Sequence, residues 1–141
     1  MTTVQRPTAA FIGASWGALI IGGAAFLYGL WNAQLQLNEK GYYLSLLLYG
    51  LFAAISLQKS VRDRSEGIAV TGLYFALCWF SLFAVIAMLT VGLWNAALAP
   101  SEKGFYTMSF VLSLFAVVAV QKNVRDMGAA QPAQATVAEQ A

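Results

Sequence analysis

The side chains best suited to proton transfer are two neighbouring acid–base pairs, Glu39-Lys40 and Glu102-Lys103, at an offset of 63 residues. A carboxylate beside an amine can exchange a proton, but covalent chemistry also needs a nucleophile within hydrogen-bond reach, and neither pair has one nearby. The chain contains no histidine and a single cysteine, Cys78, embedded in apolar sequence. Metal sites need converging Cys, His or carboxylate ligands, and b-type haem ordinarily needs an axial histidine. The expectation is a protein that is not an enzyme, with no catalytic residue, cofactor or metal.

A second polar group recurs at the same offset: Gln58-Lys59 with Val61-Arg62-Asp63 returns as Gln121-Lys122 with Val124-Arg125-Asp126. Lys59 and Asp63 lie one helical turn apart, and such a pair contributes only ~0.2–0.5 kcal/mol on a helix surface. Headgroup contact and a protein partner explain the group equally well.

These polar groups punctuate two copies of one unit. Gly29-Leu30-Trp31-Asn32-Ala33 recurs as Gly92-Leu93-Trp94-Asn95-Ala96, Tyr43 as Tyr106, and Leu51-Phe52-Ala53 as Leu114-Phe115-Ala116, without a gap. With 60% hydrophobic and 10% charged residues, the chain of 141 residues has too little polar surface for a water-soluble globule. Its net charge of +2 is too small and scattered for nucleic acid. Four uncharged stretches approach or exceed the ~20 apolar residues that cross a bilayer as a helix. The fold class expected is all-α: a polytopic membrane protein of four transmembrane helices, Thr8 to Asn32, Glu39 to Asp63, Ile68 to Asn95 and Glu102 to Asp126. The first stretch is too long for a cleaved signal peptide, and its repeat partner lies deep in the chain.

Each repeat then reads as one helical hairpin, 8–63 and 71–126, followed by a disordered cytoplasmic tail, 127–141, in which Gly128 ends the last helix. A unit of two crossings makes the repeats parallel and excludes an inverted pair. Arg6, Lys59, Arg62, Arg64, Lys122 and Arg125 fall on the side of the termini, against Lys40 and Lys103 opposite, so both termini are expected in the cytoplasm. Asn38 and Ser101 are the expected N-caps after tight reversals of about six residues.

The two copies have not diverged evenly. From Gly29 to Asp63, 18 of 35 positions match their partners, whereas from Thr8 to Tyr28 only 4 of 21 do. Matches cluster at the membrane surfaces, which makes Trp31, Asn32, Glu39 and Lys40, with Trp94, Asn95, Glu102 and Lys103, the candidate interaction surface. Interface-belt anchoring is the competing account of the same residues. In the first span, rows of small residues that include Gly13, Gly17 and Gly22 let helix backbones approach closely. Their partners are bulky, Phe80 for Gly17 and Val85 for Gly22, so the rows are expected to receive the third helix or another subunit. Trp16 and Trp79 match one another inside their spans, where core packing and a ligand platform both suit an indole.

The Gly-Leu-Trp-Asn-Ala phrase, then Asn-Glu-Lys-Gly-Tyr-Tyr or Ser-Glu-Lys-Gly-Phe-Tyr, then Gln-Lys-x-Val-Arg-Asp closely resembles the YiaA/YiaB family of small bacterial inner-membrane proteins, built from a two-helix domain. The resemblance runs from about Phe11 to Asp126 and implies a multi-pass protein of the bacterial inner membrane. It brings no activity, substrate or functional residue. Two functions remain open. One is association in the lipid bilayer, as a homo-oligomer or as an accessory subunit of an unidentified membrane-protein partner. The alternative is an oligomeric channel or facilitator for a neutral or amphipathic small molecule, lined by Asn32, Asn95, Ser45, Ser109, Trp16 and Trp79.

Overall fold

The structure, a computed structural model, describes residues 5–141 as four helices: α1 (Ala9–Asn32), α2 (Leu37–Ser65), α3 (Gly72–Asn95) and α4 (Pro100–Glu139). All four are long and apolar enough to cross a membrane. The repeat is visible in the caps. Thr8 and Thr71 precede α1 and α3, and each hydroxyl accepts the backbone N–H three residues on, from Phe11 at 3.2 Å and Tyr74 at 3.4 Å. The second helix of each unit starts earlier than expected. Gln36 and Ala99 hold the N-cap positions, and Asn38 and Ser101 lie inside the first turn. Glu39 and Glu102 decide this register, because their carboxylates accept the backbone N–H of Gln36 (2.9 Å) and Ala99 (3.3 Å). The reversals therefore shorten to four residues, 33–36 and 96–99.

At the other end of the bundle, Gly67 is the one residue with a positive φ among those described, +77°. It ends α2 by letting Gly67 N–H reach the Arg64 carbonyl and Ile68 N–H reach that of Asp63, a paired cap that returns the chain into the turn. This cap, with Thr71 after it, delays α3 to Gly72 instead of Ile68. No such stop follows the second repeat. The expected disordered tail is instead a continuation of α4 through Gly128 and Pro132 to Glu139. The Ala- and Gln-rich sequence favours helix, and Gly128 without a turn partner costs only about 1 kcal/mol, although Pro132 opposes the helix by about 3 kcal/mol.

The packing order is not the order of the hairpins. α1 lies mainly against α4, and α3 against α2, while α2 and α4 meet along the centre; α1 touches α2 only slightly. Each first helix is thus packed on the second helix of the other repeat. The small-residue row of α1 accordingly meets α4 rather than the third helix. A Cβ on Gly22 would stand 2.7 Å from Ser113 Oγ and 3.1 Å from its backbone nitrogen, whereas one on Gly13 or Gly17 would meet nothing within 4 Å. The core follows the same exchange. Phe26 and Leu30 of α1, and Leu89 and Leu93 of α3, close on Tyr43, Leu46 and Leu47 of α2 and Tyr106 and Phe110 of α4. Tyr43 and Tyr106 are repeat partners, and their rings stack at the centre, 6.4 Å apart and 12° from parallel.

Candidate functional site

The twice-written phrases meet at the end of the bundle that carries the two short reversals. Gly29 of α1 faces Phe105 and Tyr106 of α4, with 2.7 Å between an added Cβ and the Phe105 ring. Its partner Gly92 faces Tyr42 and Tyr43 of α2 in the same way, at 2.8 Å from the Tyr42 ring. The glycine of Gly-Leu-Trp-Asn-Ala in one copy is therefore the seat for the aromatic pair after Glu-Lys-Gly in the other. Close backbone approach explains why both copies keep both phrases. Two small clefts result, one of about 300 Å³ beside Asn32, Glu102 and Tyr106, the other of about 370 Å³ beside Asn95, Glu39 and Tyr43.

Of the eight residues of the candidate surface, Asn32 meets Glu102 and Asn95 meets Glu39 across repeats, while Lys40 pairs with Trp31 and Lys103 with Trp94 within one repeat, and most of their polar groups serve the chain itself. Asn32 and Asn95 donate to carbonyls one turn back, Tyr28 and Val91, each at 2.8 Å. Lys40 and Lys103 donate to the carbonyls of Trp31 (3.0 Å) and Trp94 (3.4 Å), where cations complement the C-terminal ends of α1 and α3. Glu39 and Glu102 hold the caps described above. Trp31 and Trp94 point outward, 83% and 82% exposed, as interface anchors do.

The six residues considered as a channel lining are not gathered. Ser109 is buried and donates to the Phe105 carbonyl, while Asn32, Asn95, Ser45, Trp16 and Trp79 are exposed. Trp79 stacks on Phe83 with ring centres 5.7 Å apart, and Phe75 presents its edge at 6.4 Å.

The opposite end holds a charge cluster that spacing alone did not reveal. The expected helical pairs form, Lys59 to Asp63 at 2.6 Å and Lys122 to Asp126 at 2.8 Å. Beyond them, Arg62 of the first repeat bonds Asp126 of the second, and Arg125 of the second bonds Asp63 of the first at 2.7 Å. The two bridges are reciprocal across the axis relating the repeats. Glu66, which has no acidic counterpart in the second repeat, accepts from Arg62 (2.9 Å) and Arg125 (2.8 Å). Donation first from Arg62 and then from Arg125 holds the Glu66 carboxyl below the ordinary carboxylate range. Partly buried ion pairs recover little net free energy, because desolvation offsets attraction, so the cluster acts chiefly to fix the register of α2 on α4.

Between the two ends, each cross-repeat interface contains one buried polar pair. Asn123 Nδ2 of α4 donates to Ser15 Oγ of α1 at 3.2 Å, and Ser60 Oγ of α2 lies 3.5 Å from Cys78 Sγ of α3. Ser15 aligns with Cys78, and Ser60 with Asn123, at the repeat offset. A search for identical residues passes over both pairs; a search for polar character at aligned apolar positions finds them.

Residues 11–63 and 74–126 each match the family model described as the yiaA/B two helix domain. The chain belongs to the YiaA/B two-helix-domain family. It is 53% identical over 131 residues to the inner membrane protein YiaA of Escherichia coli K12, covering 93% of this chain and 90% of that one. Inner membrane protein YiaB of the same organism is 27% identical over 97 residues, 68% of this chain and 81% of its own. The uncharacterized membrane protein YubF of Bacillus subtilis 168 is 40% identical over 63 residues, 44% of this chain and 72% of its own. No solved structure matches the chain. The match boundaries of the YiaA/B domain in both repeats stop at Asp63 and Asp126, the two aspartates of the reciprocal bridges.

Proposed function

We propose that this is a non-enzymatic inner-membrane protein that acts by association, with itself or as an accessory subunit of a membrane complex, both termini facing the cytoplasm. One contrast along α1 carries the reading. Gly22 is used up in the close approach to α4, while Gly13 and Gly17 leave a smooth face with open space beside it. In lipid, apolar burial does not drive helices together, and small residues that permit backbone approach do. The polar groups of the repeated phrases support the same reading, since capping and cross-repeat bridges occupy them. The excess of Lys and Arg at the end shared by the termini supports the orientation.

Chemical cross-linking in native membranes, followed by native mass spectrometry of the extract, tests the proposal. Replacing Gly13 and Gly17 together by leucine is expected to dissolve a defined homo- or hetero-complex while the monomer keeps its helical content. An unchanged complex profile in that variant, or a lone monomer in the unmodified protein, overturns it.

A further inference from the structure

Because α3 packs on α2 and not on its hairpin partner α4, a groove of about 930 Å³ remains between α3 and α4. Its walls are apolar for most of their length, with Leu82, Ile86 and Leu89 on α3 facing Val111, Leu114 and Val118 on α4, and Ala54 of α2 beneath. Polar groups gather at one end only, near the short α3–α4 reversal: the Lys103 ammonium, the Thr90 and Thr107 hydroxyls and the rim of Trp94. From Lys103 to Val118 the groove descends roughly 20 Å at 1.5 Å per residue. Half of a ~30 Å hydrocarbon core is about 15 Å, so the groove spans one leaflet and closes soon after the midplane.

We infer that this groove is a binding site for a single phospholipid with an anionic headgroup, drawn from the leaflet on the reversal side. Lys103 would bond the headgroup while an acyl chain occupies the slot between α3 and α4. The depth argues against a transmembrane helix as occupant, since a helix needs a continuous surface through both leaflets. Charge fixes the class of lipid. Lys103 Nζ spends one donor on a long bond to the Trp94 carbonyl at 3.4 Å and has two more to offer, at the headgroup level that Trp94 marks. The first repeat supplies an internal comparison. Lys40 makes the same capping bond to Trp31 at 3.0 Å but does not line the groove.

The test is native mass spectrometry of delipidated full-length protein titrated with phosphatidylglycerol or phosphatidylcholine. The unmodified protein is expected to take up one phosphatidylglycerol in preference to phosphatidylcholine. Lys103→Gln should weaken phosphatidylglycerol about tenfold, the scale of one charge-assisted hydrogen bond, and Lys40→Gln should leave it unchanged. Filling the slot from either wall, by Val111→Trp or Ile86→Trp, should abolish uptake of both lipids. Both positions are exposed, so neither change enters the core, and circular dichroism checks the fold. Equal loss in the Lys103 and Lys40 variants, uptake that survives both tryptophans, or cross-linking of a protein helix to Val111 overturns the assignment. This site lies on α3 and α4, away from Gly13 and Gly17, so its failure and that of the association surface are separable.

Discussion

The α1–α4 and α3–α2 interfaces occupy equivalent places in the two repeats and are filled by opposite strategies. On the α1–α4 side, Gly22 and Ser113 alternate with the large rings of Phe26 and Phe110, whose centres lie 6.2 Å apart. At the matching positions on the α3–α2 side stand Val85, Leu89 and Leu47, aliphatics of middling size, while Gly50, the counterpart of Ser113, turns to Phe110 and Leu114 of α4. One interface interlocks small with large and the other stacks similar volumes. What the duplication preserved here is filled space rather than residue identity, and cores tolerate such exchange when total volume is kept. This is why Leu44 to Gly50, although partly buried at the centre, shares no residue with its copy.

The sharpest way to break the comparison is to exchange the strategies. Gly22→Leu forces bulk onto the Ser113 backbone and is expected to destabilise the bundle by about 3 kcal/mol, the upper range for overpacking. Val85→Ala at the equivalent place removes two methyl groups, leaves a cavity in the packing and should cost about 2 kcal/mol. Unfolding in mixed micelles followed by circular dichroism reads both; equal tolerance of the two changes would show that the interfaces are interchangeable.

Charge reversal tests whether the interfaces share one register. Asp126→Arg alone should lower the melting temperature, and adding Arg62→Asp should restore only part of the loss, because the bridge reforms with its polarity inverted while Lys122 and Glu66 are each left facing a like charge. Glu66 adds a pH dependence with a definite sign. Its folded carboxyl titrates below the unfolded one, so its contribution is complete above the ordinary carboxylate range and is lost as pH falls through the folded value. Glu66→Gln should flatten the acidic limb of the stability profile.

The smallest effect is expected at the buried polar pairs. Asn123→Ala removes the bond to Ser15 and should cost about 0.6 kcal/mol, the average for interhelical hydrogen bonds in lipid. Ser60→Ala, across the weaker contact to Cys78, should cost less. A reversed order in the same unfolding assay would overturn the ranking.

Much of this fold is written in plain sight. Charge-free stretches gave four spans because a bilayer admits few alternatives to a helix, and the offset of 63 residues ordered them into two units. Helix partners were another matter. The apolar face of α1 suits α2, α3 or α4 equally, and only the fit of Gly22 on Ser113 and of Phe26 on Phe110 selects α4. The charge cluster was half legible: four-residue spacing shows Lys59 with Asp63, but nothing in spacing shows Arg62 reaching a residue 64 positions away. At the reversals the residue types pointed to Asn38 and Ser101 as caps, and the carboxylates three residues beyond the true caps overruled them. After Asp126 the glycine signal misled, because Gly128 lacks the turn that lets Gly67 stop α2.

The exchange of partners between repeats also sets an order of events during synthesis. α1 enters the membrane with its main packing partner still unmade, and 67 residues separate the end of α1 at Asn32 from the start of α4 at Pro100. At about 5–20 residues per second, that is a wait on the order of ten seconds. Throughout it, the Ser15 hydroxyl can bond only its own helix, at the Phe11 carbonyl, which it does at 2.7 Å in the finished protein. The second helix of the pair, α2, waits far less, since α3 follows it after six residues. Assembly therefore begins in the middle of the chain and ends when the last helix to be made collects the first.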